Sequence, residues 1–286
     1  MSWNEKLAEF GLHMGLVISG MLITAVVYFG LLIITFDTVD TIVPGYWSDS
    51  TIKSVALVIV SACTGNACAF FCFPYLIRLV FRGYELQDNR LDRSVRKLVS
   101  ATGMNITAER LYAINSKTAN AVVSGLFRKS RYIFFTKKLL EKMTEEEIIA
   151  IFAHELAHAK HRHIPKMLFA VMLWICAIQT FLYLIGFNHY FNASDESLKM
   201  LVVSLITCLN VWLMLFLVLF PLSRKNEYEA DSTAASWVGI DSYKSALHRL
   251  YQLNDKLKPP PVYTRVLQPH PTLQDRLDRV AQLNSK

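Results

Sequence analysis

His154-Glu155-Leu156-Ala157-His158 is the stretch on which the reading of this chain turns. Histidines four apart share one face of an α-helix, so their imidazoles can converge on a single metal ion. Glu155 lies about 100° round from His154, close enough to act on a water at the ion without being a ligand. Such a carboxylate can take a proton from water and pass it to a leaving amine, which is peptide hydrolysis without a protein nucleophile. The surroundings favour a helix. Thr144 stands as an N-cap with Glu147 three residues on, and Glu145 and Glu146 suit the positive end of the helix dipole. The spacing predicts a helix to about His163, with Pro165 ending or kinking it.

A catalytic ion needs a third protein ligand and an open fourth position. His161, seven residues after His154, lies on nearly the same face but ~10 Å further along the axis. No glycine follows His158 to fold the chain back. His163 is expected to point to the opposite side, and both histidines read as interfacial or supporting groups. Further along, Ser223-Arg224-Lys225-Asn226-Glu227-Tyr228-Glu229-Ala230-Asp231 offers carboxylates. Glu227 and Asp231 share a helical face while Glu229 points away. The pair suits one ligand plus one acceptor that orients an imidazole, although an ordinary acidic helix start has the same spacing.

Composition places this motif at a membrane. The chain has 286 residues, is 53% hydrophobic and has a mean hydropathy of +0.30. Apolar stretches at about 16–36, 54–77, 167–187 and 201–222 each reach the ~20 residues a helix needs to cross the hydrocarbon. Residues 78–166 hold 17 Lys plus Arg against 9 acids, and residues 223–286 hold 10 against 7. The segments 37–53 and 188–199 hold one Lys each and five acids between them. That asymmetry predicts both termini and both long segments on the cytoplasmic side. It assigns the net charge of +7 to topology and contact with the lipid bilayer, with no nucleic-acid partner. All five cysteines fall inside the expected spans, a pattern for neither a disulfide framework nor a cysteine metal site.

The expected organisation is therefore a membrane hairpin over 1–77, a first protease segment over 78–166, a second hairpin over 167–222 and a second protease segment over 223–286. Neither protease segment alone is large enough, and together they make one domain. Within it, two β-prone runs flank the basic turn in 120–136 and predict a β-hairpin. Helices are expected at 86–99, 227–239 and 242–257, and a last one behind Thr272, with Asp275 at its N3 position.

Four ordered motifs carry a family resemblance. They are Asn120-Ala121 followed by Gly125; Ala153 to His158; Ser223-Arg224 with Glu227 to Asp231; and His270-Pro271 with Arg276. In these, and in its four-span layout, the chain resembles the HtpX-type membrane zinc metalloproteases, relatives of the CAAX prenyl protease 1 enzymes. The resemblance implies a mainly α integral membrane protein with four transmembrane helices and a cytoplasmic α+β zincin-like (gluzincin) domain containing a small sheet. It implies one Zn2+ per chain, held by His154, His158 and Glu227, with Glu155 as general base and Asp231 supporting the site. It further implies that His270 stabilises the oxyanion and that Asn120, Ala121 and Gly125 belong to a strand along which substrate lies extended. Substrates would be membrane proteins or membrane-proximal polypeptides, and the location a bacterial inner membrane. Having four spans rather than more favours membrane-protein quality control and stress response over prenyl-peptide processing. A non-catalytic adaptor with a structural metal is the rival from another class, and it would need a fourth protein ligand such as His270 or His161.

Overall fold

The computed structural model describes residues 51–86, 88–104, 111–125, 132–185, 196–259, 261, 265 and 268–285. The apolar stretch at 16–36 lies outside these residues. The chain is mainly helical with one small mixed sheet, and it divides into two compact units. Among the described residues, one combines Phe70–Lys166 with residues 220–285, and the other combines residues 51–69 with Met167–Leu219.

The second unit is built from apolar helices. Among the described residues two helices, His163–Leu184 and Ser204–Val238, are long and apolar enough to cross a membrane. A third candidate is the helix pair Ile59–Ala69 and Phe71–Val80, bent by 41°. Large apolar side chains such as Leu173, Phe181, Leu205 and Trp212 are exposed along these helices, which is a liability in water and suits lipid. Within this unit Trp174 Nε1 donates to Asn210 Oδ1 at 2.7 Å, a polar pairing of the kind that joins helices in hydrocarbon.

The first unit places a sheet against helices. After helix α1 (Thr51–Val80) come β1 (Tyr84–Glu85), α2 (Asn89–Ala101), β2 (Leu111–Ile114), β3 (Ala121–Ser124) and β4 (Tyr132–Thr136). The strand order is β1-β2-β4-β3. β3 and β4 form the antiparallel pair expected from the sequence, with Val122 opposite Phe134. β2 adds to β4 in parallel, so β4 is central and buried along its whole length. Its alternate residues serve two cores: Ile133 and Phe135 face the helices, while Tyr132 and Phe134 join Ile77, Phe81 and Ile114. Phe134 and Phe135 are both fully buried, each contributing roughly 1.5–3 kcal/mol.

α3 (Lys137–Lys142) and α4 (Glu145–Lys160) follow. α4 starts at the expected capping box, with Thr144 and Glu147 each bonded to the other's backbone. It buries Ile148, Ile151, Phe152 and Leu156 in the same core as Leu91, Val95 and Val99 of α2. It stops earlier than the sequence suggests. His161 caps it, Arg162 turns into the left-handed region (φ 55) and α5 (His163–Leu184) begins at once. Pro165 therefore falls in the first turn of α5, where a missing N–H costs nothing.

α6 (Glu196–Met214) passes through a π-helical turn at Leu215–Leu219 into α7 (Phe220–Val238). A separate helix from 227 is the sequence expectation; instead the helix runs unbroken through the polar motif. α8 (Ile240–Leu253) and α9 (Leu273–Ala281) complete the unit. α9 opens with the Thr272–Asp275 capping box and buries Val280 beside Tyr243 and Leu247 of α8.

Candidate metal centre

Two helices make the centre. α4 presents His154 and His158 one turn apart, and α7 presents Glu227 from its buried face, four residues before Asp231. The two Nε2 atoms are 3.0 Å apart. Glu227 places Oε2 3.4 Å from His154 Nε2 and Oε1 3.6 Å from His158 Nε2. One ligand atom from each residue falls within a 4.8 Å cluster, which can hold a metal ion. Tetrahedral nitrogen and oxygen ligands at ~2.0–2.1 Å from zinc lie roughly 3.3 Å from one another, so the spacing fits the ion. The donor set of two imidazoles and one carboxylate, with no fourth protein ligand in the cluster among the described residues, is that of an open site.

Electrostatics also suit a cation. Burial opposes ionisation of Glu227, but hydrogen bonds from His154 and His270 and the charge of Arg276 hold its carboxyl far below the usual range. Burial likewise opposes a proton on His154, yet hydrogen bonds to Asp231 and Glu227 push it up to about 9. Without an ion, a proton stands where the cation would be. His158 is driven down to about 3 by burial and by the neighbouring His154, and so stays neutral as a ligand must.

The outer nitrogens of both histidines are held. His154 Nδ1 lies 3.0 Å from Asp231 Oδ1 and 3.0 Å from the hydroxyl of Tyr243. That hydroxyl donates to Asp231 at 2.6 Å, and Arg276 donates to both Asp231 oxygens at 2.9 and 2.6 Å. Asp231, Tyr243 and Arg276 are all buried. On the other histidine, His158 Nδ1 sits 2.7 Å from His163 Nδ1, and His163 Nε2 sits 3.1 Å from Glu229 Oε2. This corrects the expectation that His163 points to the opposite side. The left-handed turn at Arg162 swings it back to the ring of His158. Glu229 does face away from the cluster, where it pairs with His161, His163 and Lys166. His161 bonds Thr233 and Glu229 and is not among the converging ligand atoms.

Glu155 lines the same cleft as His154, Glu227, Asn120 and His270, a space of about 960 Å³. Burial pushes its carboxyl up to about 7, partly offset by His154 and by a hydrogen bond from the Val123 backbone. A base with that pKa is matched to proton transfer near neutral pH. His270 is mostly exposed and reaches Glu227 Oε1 at 3.0 Å. Asn120 immediately precedes β3 and Ala121 begins it, while Gly125 follows with φ 125, a value open to glycine at no steric cost. Tyr243 is the participant that the sequence reading does not assign, while His163 takes a supporting place from the side opposite to the one expected. A tyrosine in an amphipathic helix looks like core.

Comparison with known proteins agrees with this geometry. Residues 85–284 match the family model described as Peptidase family M48. The chain is 28% identical over 231 residues to Protease HtpX of Legionella pneumophila, covering 78% of this chain and 80% of that protein. It is 27% identical over 221 residues to a CAAX prenyl protease 1 homolog of Arabidopsis thaliana, covering 72% of this chain but only 50% of the relative. The crystal structure of S. mikatae Ste24p shares the fold with a TM-score of 0.68 at 22% identity, over 93% of this chain and 66% of that one. With a matching family model over most of its length, a cluster fit for a metal ion and apolar helices long enough to cross a bilayer, the chain belongs to peptidase family M48 and is a membrane metalloprotease.

Proposed function

We propose that the protein is a zinc endopeptidase in which His154, His158 and Glu227 hold the ion and Glu155 is the general base. The observation that carries the reading is the convergence of those three ligand atoms beside a half-buried carboxyl whose pKa is pushed up to about 7. Zinc bound there would polarise a water and lower its pKa toward ~7. Glu155 takes the proton from that water as its oxygen attacks the scissile carbonyl carbon, and returns it to the amine nitrogen as the C–N bond breaks. Asp231 fixes the His154 ring through Nδ1, with Arg276 and Tyr243 holding Asp231 in turn. His270, at the mouth of the cleft, is placed to donate to the carbonyl oxygen as negative charge develops there.

Ala121 opens the outer strand of the sheet and Asn120 and Gly125 flank it, and the open edge of that strand can accept an extended peptide by strand addition. Substrates are membrane proteins or polypeptide segments close to the bilayer, presented on the cytoplasmic side of a bacterial inner membrane crossed by four spans. Residues 78–166 and 223–286 form the protease domain and the two hairpins anchor it. A role in membrane-protein quality control and stress response is supported by coverage, since the chain spans 80% of the HtpX relative and half of the prenyl protease relative.

Replacing Glu155 by Gln tests the mechanism. Zinc content should stay at one per chain while cleavage of a denatured membrane-protein substrate falls by at least the ~10²–10⁴-fold typical of a general base. Undiminished cleavage by that variant would refute the assignment.

A further inference from the structure

β3 has one paired side and one open side, and hydrogen bonds fix which residues face each. The Asn120 carbonyl accepts from the Thr136 N–H at 2.9 Å, and the Asn120 N–H donates to Thr136 Oγ1 at 2.8 Å. Both Asn120 backbone groups therefore face β4. Residues of an antiparallel pair alternate in this respect, so Ala119, Ala121 and Val123 turn their N–H and C=O groups outward. No strand among the described residues pairs with β3 on that side.

One of the three outward positions has both of its backbone groups filled. The Ala119 N–H donates to Asn254 Oδ1 at 2.8 Å, and Asn254 Nδ2 donates to the Ala119 carbonyl at 2.8 Å. A single carboxamide thus satisfies the same donor and acceptor that a residue of an added strand would use. Its position is well fixed. Asn254 caps the C-terminus of α8, Asp255 behind it adopts the left-handed conformation (φ 54), and the Lys256 N–H closes on the Tyr251 carbonyl at 2.9 Å. Lys138 Nζ ties the same helix end to the sheet side through the Leu253 carbonyl at 2.6 Å. Asn254 also lines the cleft that contains His154, Glu155 and Glu227. At the other end of the edge, the Val123 N–H meets the Glu155 carboxyl.

We propose that Asn254 determines specificity by acting as a stop: it occupies the Ala119 position of the substrate-binding edge and confines an extended substrate to pairing with Ala121 and the Val123 carbonyl. This rests on the reading that the β3 edge receives substrate. Ala119 lies four residues, or ~13 Å of strand, from Val123. A bound peptide therefore has one paired residue, opposite Ala121, between the Glu155 end and the stop. Beyond that residue it must leave the edge, so contacts further along that flank are made with side chains and not by backbone pairing.

The alternative is that Asn254 merely anchors α8 to the sheet, and a backbone N-methyl scan separates the two. The full chain in detergent, loaded with zinc, is given a peptide that it cleaves, with one N-methyl group at a time on each residue except the scissile amide. In the wild type, two positions spaced two residues apart should lose about tenfold or more in kcat/KM. In Asn254→Ala a third sensitive position should appear two residues further along one flank. An unchanged pair of positions in an active Asn254→Ala protein overturns the proposal. Absence of any sensitive position in the wild type removes the edge-binding reading itself, a different result. Should Asn254→Ala fail to fold, Asn254→Gly answers the same question, since glycine is well suited to a helix end.

Discussion

Arg276 clamps Asp231 with two hydrogen bonds, Nε to Oδ2 at 2.9 Å and a terminal nitrogen to Oδ1 at 2.6 Å, and neither side chain has appreciable contact with water. The same guanidinium comes within 3.4 Å of Glu227. It thus offsets two carboxylates that would otherwise repel each other across the site. Removing it leaves Asp231 buried and charged beside Glu227, and loss of one partner of a buried pair costs about 3–5 kcal/mol. Arg276→Met should lower the melting temperature of the zinc-free protein markedly. A melting temperature unchanged from the wild type would show that Arg276 is dispensable to the fold.

Tyr243→Phe makes a smaller, cleaner change in the same group. The ring stays buried and only the hydroxyl that donates to Asp231 at 2.6 Å is lost. Asp231 keeps Arg276, so the fold should survive. The orientation of His154 is less constrained, and zinc affinity should fall about tenfold, toward the low end for loss of a group supporting a ligand. Competition with a chelator measures this, and equal affinities would count against a role for the hydroxyl.

If His158 holds the ion through Nε2, as proposed, its proton sits on Nδ1 and is donated to His163 Nδ1 at 2.7 Å. His163 then keeps its own proton on Nε2 and gives it to Glu229 at 3.1 Å. His163→Ala should weaken zinc binding about 10–100-fold, with turnover near normal once zinc is saturating. His163→Gln, which restores an amide near that nitrogen, should recover part of the loss. An alanine variant that binds zinc as tightly as the wild type would make the contact incidental.

What the sequence revealed and what it hid follow from the range of each interaction. Spacing along one helix is readable, so His154 and His158 could be brought to one point from five residues, and the Thr144–Glu147 and Thr272–Asp275 boxes from four each. Two β-prone runs were enough for the antiparallel β3–β4 pair, while the basic turn between them lies outside the described residues. β2 was not visible, because Leu111–Ile114 is four residues long and pairs in parallel with a distant strand. His163 was misplaced by extending a straight helix past Lys160, since nothing in Arg162 announces a left-handed residue. Tyr243 was silent because its partners, Asp231 and His154, lie 12 and 89 residues away. The π-helical turn at Leu215–Leu219 has no signature in an unbroken apolar run.

The charge balance of the ion-free site sets its response to pH. Burial resists a proton on His154, but Asp231 and Glu227 hold it at about 9, so this ligand is protonated at neutral pH until a metal arrives. Zinc must displace that proton, because a ligand nitrogen cannot carry both. Binding at pH 7–8 should therefore release at least one proton per ion. Apparent affinity should rise at least about tenfold per pH unit over that range and level off above about 9. Below 7 the release should exceed one, since Glu155, raised to about 7 by burial, is favoured in its ionised form by the incoming positive charge. Calorimetry in two buffers of different ionisation enthalpy counts the protons directly. Zinc binding with no proton release at pH 7.5 would show that His154 is already neutral, and that the pull of Asp231 and Glu227 is weaker than their 3.0 and 3.4 Å contacts imply.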